Sequence, residues 1–364
     1  MDVTDPALQV LIDRVQSARS ANAQLCIRGG GTKDFYGEAP QGEPLDTRVL
    51  EGISSYEPTE LVITARCGTS LAALESTLAE KGQCLPFEPP HFQPGSTVGG
   101  MVAAGLAGPS RASAGAVRDH VLGATLLNGR AEVLSFGGQV MKNVAGYDVS
   151  RLLAGSMGTL GIILEVSLKV LPAAPANATL RFAMDQARAL EQLNIWAGQP
   201  LPINASAWWD GTLLLRLRGA MAAVRAAIDT LGGELIEPGD ALPFWDGLRH
   251  HDDIFFVKAR AAVEAGGALW RLSLPQTAPP LALSGEQLIE WGGAQRWLCS
   301  AMPACAVRDT VAKASGHATL FIAHDKTAGV FAPLKSPLDR IHRELKKSFD
   351  PSGVFNPGRL YPGL

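Results

Sequence analysis

The sequence predicts an α+β protein of more than one domain, on three observations. Its 364 residues exceed what one simple core holds at about 150 residues per domain. Residues 6–171 alternate helical apolar spacing with short strand-like runs, several of them flanked by glycine-rich loops. Pro172-Ala173-Ala174-Pro175-Ala176 then breaks every regular pattern, and strand-like runs dominate beyond it, as in an antiparallel sheet with helices.

Taken in order, residues 6–20 place Leu8, Leu11, Ile12 and Val15 at helical spacing. Residues 24–27 form a short strand that runs into Arg28-Gly29-Gly30-Gly31-Thr32. A second strand covers 61–65; Thr69 or Ser70 then caps a helix that reaches Lys81 and stops at Gly82. Runs 121–127 and 133–136 flank Asn128-Gly129, a type I′ hairpin signal. Residues 161–171 read as a long, half-buried strand. Past the break, 205–217 reads as a strand, 221–231 as an Ala-rich helix, and Gly232-Gly233 as a stop before 234–237. Residues 254–258, 268–274, 295–299 and 318–323 read as further strands. A loop with Pro333 and Pro337 leads to a basic helix over 341–349 and a turn-rich tail.

Composition narrows the function. At 46% apolar and 18% charged residues, with mean hydropathy +0.10, the chain can bury a large core, which excludes wholesale disorder. Lys and Arg number 32 against 35 Asp and Glu, so no basic excess points to nucleic acid. No run approaches the 18–20 apolar residues of a membrane span, and the acidic start is unlike a signal peptide. The five cysteines are odd in number and form no C-x-x-C, against a disulfide framework, structural zinc or an iron–sulfur cluster. A reduced, cytoplasmic protein is expected.

Three loops carry chemistry. Arg28-Gly29-Gly30-Gly31-Thr32 bares consecutive backbone N–H groups where a strand ends, and Arg28 adds positive charge. Alone it is equally a tight turn, and it matches neither a Walker loop nor G-x-G-x-x-G. Pro94-Gly95-Ser96-Thr97-Val98-Gly99-Gly100 turns the chain into a helix of small residues, whose start favours phosphate. Gly155-Ser156-Met157-Gly158-Thr159-Leu160-Gly161 feeds a strand. Each is weak singly; three in order within one domain are not.

With Gly115-Ala116-Val117-Arg118-Asp119-His120-Val121-Leu122-Gly123, Lys142-Asn143-Val144-Ala145-Gly146-Tyr147-Asp148 and Phe355-Asn356-Pro357-Gly358, the series resembles the vanillyl-alcohol-oxidase, or PCMH-type, FAD-binding family. Within it the chain is similar to the FAD-binding subunits of glycolate oxidase complexes. The resemblance spans residues 28–358. It implies a two-part FAD-binding PCMH-type domain over 1–172, an α+β cap domain on an antiparallel sheet over 173–330, and a segment 331–364 returning to the FAD domain. It assigns the pyrophosphate to Arg28, Gly29, Gly30, Gly31 and Thr32 with Pro94, Gly95, Ser96, Thr97, Val98, Gly99 and Gly100. Arg118, Asp119, Asn143, Gly158, Thr159, Gly161, Ile162 and Asn356 complete the implied FAD contacts.

Two departures refine this. Relatives with covalent FAD often carry His at the end of the first glycine loop, where Thr32 stands here, so noncovalent FAD is expected. Related 2-hydroxy-acid dehydrogenases carry His motifs for a divalent metal. This chain offers only His317, His324 and the pair His250-His251 on a charged face, and no metal is expected. Oxidising a 2-hydroxy acid needs a cation for the carboxylate, for which Arg249, Arg271 and Arg308 are the candidates; no catalytic base stands out.

The function implied is an FAD subunit of a complex oxidising glycolate to glyoxylate, working with a second FAD subunit and an iron–sulfur subunit. A stand-alone FAD-dependent 2-hydroxy-acid dehydrogenase of D-lactate type, and a non-catalytic FAD-bound structural subunit, remain alternatives. The expected location is the cytoplasm, with contact to the inner membrane only through partners.

Overall fold

The computed structural model describes residues 5–138 and 148–364. Two antiparallel sheets organise them. The first has five strands in the order Ile53–Glu57, Val62–Arg66, Ile162–Lys169, Val121–Leu127, Val133–Gly137. The second has eight, in the order Glu234–Ile236, Ala176–Ala183, Thr212–Gly219, Ile203–Trp209, Glu286–Glu290, Gln295–Ser300, Ala268–Ser273, His317–Ile322. The expected antiparallel sheet beyond the proline break is therefore present.

The first helix, Pro6–Ala21, starts where the Asp5 side chain accepts from Ala7 N and buries Leu8, Leu11, Ile12 and Val15 at the expected spacing. Ser70 caps Leu71–Ala79. Ile162–Lys169 is more buried than expected. As the central strand it is flanked by Val62–Arg66 and Val121–Leu127 and buries six of its eight residues, so its near-continuous apolar run reflects cover on both faces.

Three local readings are corrected. The 121–137 hairpin forms, but Asn128-Gly129 is not its type I′ turn. The left-handed residue of the loop is Ala131 (φ 62°), and Asn128 Oδ1 accepts from Arg130 N and Glu132 N at 2.8 and 3.0 Å. Gly129 is small for another reason: a Cβ there would sit 2.2 Å from Asp350 Oδ1 of the tail. The type I′ geometry occurs instead at Asp210-Gly211 (φ 47° and 76°), which folds 205–217 into two strands of a hairpin rather than one. Residues 254–258 begin the helix Ile254–Glu264, because Asp253 accepts from Phe255 N and the apolar positions run 255, 256, 259, 263. A four-residue apolar run does not by itself distinguish strand from helix.

The tail runs back to the first helix and strand. Leu25 N donates to Val354 O and Asn356 N to Leu25 O, at 2.7 and 2.9 Å. Buried Asp350 accepts from Lys346 Nζ (2.6 Å) and the amides of Val354 and Phe355, and Lys346 also donates to Thr159 O. The tail and the 155–161 loop are thereby pinned beside the strand Leu25–Arg28. No helix among the described residues is long and apolar enough to cross a membrane.

Candidate functional site

The strand Leu25–Arg28 ends in the glycine loop, and the helix Val98–Ala104 points its N-terminus at the same place, with Thr97 Oγ1 accepting from Gly100 N at 3.2 Å. Two adjoining hollows form there. They share Ile27, Gly29, Gly100, Ala103, Met157 and Asn356.

Close packing of backbone on backbone builds the cleft. A Cβ on Gly30 would lie 1.7 Å from the carbonyl oxygen of Gly95, so the two loops meet with no room for a side chain. Gly30 has no left-handed φ; contact, not conformation, requires the glycine. Gly31 (φ 72°) is the conformational one. Among the described residues, the amides of Gly29, Gly30, Gly31, Thr32 and Lys33 donate to no protein acceptor. Five consecutive free donors in a concavity are the chemistry of an anion nest.

Arg28 lines the cleft but is paired with Asp34 at 2.6 Å. Half-buried Lys33 has no carboxylate partner among the described residues; its Nζ donates to Ser96 Oγ (2.8 Å) and Thr32 Oγ1 (3.2 Å). Burial pulls its ammonium down to about 8. Asn356 works through the scaffold: Oδ1 accepts from Ile27 N at 2.7 Å and Nδ2 donates to Met157 O at 2.6 Å. A Cβ on Gly158 would fall 2.6 Å from that Nδ2, so the loop and the tail lock together. Arg359 donates to the carbonyls of Asp34 (3.0 Å), Lys33 (3.3 Å) and Glu38, closing the 33–38 turn.

Of the residues singled out in the sequence, Arg28, Gly29, Gly30, Gly31, Thr32, Thr97, Gly99, Gly100, Gly158, Gly161 and Asn356 line this cleft. Gly95 and Ser96 stand behind it, touching Gly30 and Lys33. Pro94, Val98, Thr159 and Ile162 are not among its lining, Val98 and Ile162 lying in the core. Arg118 and Asp119 are exposed on the short helix Val117–His120, with Asp119 Oδ2 accepting from Ala116 N. Asn143 and all of its motif but Asp148 lie outside the described residues. Sequence reasoning missed Lys33, Met157 and Arg359; all three adjoin or sit inside the motifs named above, and adjacency was the available signal.

Beside Thr32 opens another hollow of about 390 Å³, walled by Phe35, Phe92, Gln93, His250, His251 and Arg260. His250 keeps the expected charged setting, 3.5 Å from Asp246, whereas His251 turns inward. His251 stacks on Phe256 at 4.1 Å among Phe92, Trp297 and Phe321, and burial pulls it down to about 3, a neutral imidazole. The three arginines differ. Arg249 pairs with Glu75 and donates to Pro89 O. Arg308 donates to the carbonyls of Ala328 and Gly329. Arg271 has no carboxylate partner among the described residues and donates to Tyr36 Oη at 3.2 Å. No group of three or more His, Cys, Asp or Glu with metal-ligand geometry occurs among the described residues.

An "FAD binding domain" family model matches residues 8–137. "Glycolate oxidase subunit GlcE" of Escherichia coli K12 is 48% identical over 356 residues, covering 98% of each chain. "Glycolate oxidase subunit GlcD" of Bacillus subtilis 168 is 29% identical over 192 residues, 52% of this chain and 41% of that one. Among solved structures, an alkyldihydroxyacetonephosphate synthase superposes with TM-score 0.66 at 15% identity, over 96% of this chain and 74% of the other, a likeness of fold. The chain belongs to the FAD-binding glycolate oxidase subunit family.

Proposed function

We propose that this member of the glycolate oxidase subunit family is the FAD-carrying subunit of a complex that oxidises glycolate to glyoxylate and passes electrons to partner subunits. The observation that carries the reading is the nest of free amides at 29–33, faced by the Thr97-capped helix start and braced by Asn356. That donor set fits the phosphates of FAD. Arg28 to Thr32 with Thr97, Gly99 and Gly100 hold the pyrophosphate side, Gly95 and Ser96 support them from behind, and Gly158 and Gly161 border the rest. Bound there, FAD supplies a two-electron acceptor for the α-hydrogen of a 2-hydroxy acid.

The FAD is noncovalent. Thr32 ends the glycine loop with a hydroxyl already accepting from Lys33, and a hydroxyl is a poor point of flavin attachment beside imidazole. Arg271 is the carboxylate clamp best supported among the three candidates, since Arg249 is neutralised and Arg308 is spent on carbonyls. The working units are 1–172 for the FAD domain, 173–330 for the cap and 331–364 for the returning segment. Partners are a second FAD subunit and an iron–sulfur subunit, because the five free cysteines here are dispersed and hold no cluster. The complex is cytoplasmic, with any membrane contact made by partners.

The test is an absorption spectrum of the purified chain before and after acid precipitation, followed by dye reduction with glycolate or D-lactate, alone and with the partner subunits. Release of flavin into the supernatant, and turnover only in the reconstituted complex, are expected. Brisk turnover by the chain alone would favour the stand-alone dehydrogenase.

A further inference from the structure

The nest encloses a cation that no carboxylate matches. Lys33 lies between the two loops, Nζ bonded to Ser96 and Thr32 hydroxyls and 5.6 Å above the Phe92 ring. A buried ammonium ordinarily finds a carboxylate, since hydroxyls and a ring face offset little of its desolvation. Here Asp34, one residue away, is taken by Arg28, and no carboxylate among the described residues lies within ion-pair reach of Lys33. The five free amides of 29–33 include its own. A cation without a counter-ion thus sits in a concavity whose remaining donors want an anion.

We propose that Lys33 is the counter-charge for the bound cofactor's diphosphate, completing its ion pair only on binding and thereby tying FAD affinity to pH. This rests on the reading of the cleft as the FAD site. The sign follows from linkage. Lys33 in the free protein titrates near 8 because of burial, and an adjacent diphosphate moves it back up. Between those two values FAD binding takes up a proton, so affinity falls as pH rises through about 8, by up to about tenfold per pH unit.

The surrounding groups leave that window to Lys33. On the strand, Arg28 is matched by Asp34, and burial pushes the Cys26 thiol above its ordinary value, so it stays protonated longer. The tail brings Arg359, which is bonded to the Lys33 and Asp34 carbonyls. The 91–97 segment brings His91, which is held by Glu75 at 3.0 Å. Lys326 is turned to the Phe35 and Gly37 carbonyls, and Glu38 accepts from Val330 N. From the cap side, the hollow beyond Phe92 brings neutral His251, with His250, and Arg260 near Asp252. The helix Val98–Ala104 contributes no charge.

The experiment is titration of apo-protein with FAD, followed by flavin fluorescence, from about pH 7 to 9.5 in wild type, Lys33→Met and Lys33→Arg. Wild type should show Kd rising above about pH 8. Lys33→Met should bind about 10–100-fold more weakly at pH 7 and show no slope. Lys33→Arg, charged throughout, should bind near wild type at pH 7, also without slope. Thermal melting of the apo-proteins separates charge from scaffolding: an uncompensated cation predicts that Lys33→Met melts no lower than wild type. A flat wild-type profile, wild-type affinity in Lys33→Met, or a slope surviving in Lys33→Arg overturns the proposal while leaving the FAD site intact. A wild-type apo-protein that takes up no FAD at any pH overturns the functional reading instead.

Discussion

The two large sheets of this chain present their chemistry in different ways. Around the five-stranded sheet, the cleft is made of backbone: glycine contacts, free amides and a helix start, with side chains mainly as braces. On the eight-stranded sheet it is made of side chains, and most of those are already engaged with one another. Arg216 and Arg218 hold Glu88, Arg249 holds Glu75, and Phe256, Trp297 and Phe321 pack round His251. A backbone site needs residues of a kind, at fixed places in the chain. A side-chain site needs partners that only the tertiary structure supplies.

The sharpest way to break the contrast is at its closest contact. Gly30→Val pushes a β-branched side chain into the Gly95 carbonyl, 1.7 Å from where its Cβ must go, and so parts the two loops. Loss of at least about 100-fold in FAD affinity is expected while the eight-stranded sheet stays folded. The ratio of flavin to protein absorbance, with far-UV circular dichroism alongside, checks it; wild-type flavin content would move the diphosphate elsewhere.

The next effect tests the seam between the halves. Glu88 accepts from Arg216 at 2.7 and 2.8 Å, from Arg218 at 3.1 Å and from Ser110 N at 3.0 Å. Glu88→Ala leaves buried guanidinium uncompensated, at a cost of about 3–5 kcal/mol. Denaturant melts should show that loss. Burial alone would raise the Glu88 carboxyl, but the two arginines win and hold it below its ordinary value. The stability it contributes is present above the unfolded value and is lost as pH falls through the lowered one, so the variant should shed part of the acid sensitivity of the wild type.

These contrasts explain what the sequence made legible. Glycine loops, capped helix starts and Asn356 are read from residue type and order, because their roles are conformational or backbone-directed. The unmatched Lys33 was not readable, since it follows from Asp34 choosing Arg28 instead. Asn128-Gly129 misled for a similar reason: its glycine answers to Asp350, far along the chain, and not to a turn. The strand reading of 254–258 failed because four apolar residues carry no period, and the capping Asp253 outweighed them. Antiparallel character beyond the proline break survived these local errors, because it rests on many strand-like runs at once.

A second buried glutamate turns the Glu88 comparison round. Glu290 makes no ion pair among the described residues; it accepts from Trp297 Nε1 at 2.6 Å and Gln295 Nε2 at 3.1 Å, and burial drives it up to about 7. Its folded value lies above its unfolded one, so folding binds a proton between about 4.5 and 7 and stability falls as pH rises through that window. Glu290→Gln removes the ionisation and keeps an acceptor for the indole. It should stabilise the protein by about 1–3 kcal/mol at pH 8 and by little at pH 5. Equal effects at both pH values would show that packing, not charge, decides.

The smallest effect isolates what a glycine does when nothing touches it. Gly239 lies early in the helix Pro238–His250, exposed, with no left-handed φ and no atom within 4 Å of the place a Cβ would take. It has neither the contact that fixes Gly30 nor the left-handed φ that fixes Gly31. Alanine there removes unfolded-state freedom and suits the helix, so Gly239→Ala should stabilise by a few tenths to about 1 kcal/mol. Flavin content should be unchanged, because the effect acts on the unfolded chain and not on the cleft. A lowered melting temperature would mean that this face of the helix is covered in the assembled protein, where even a methyl group meets a neighbour.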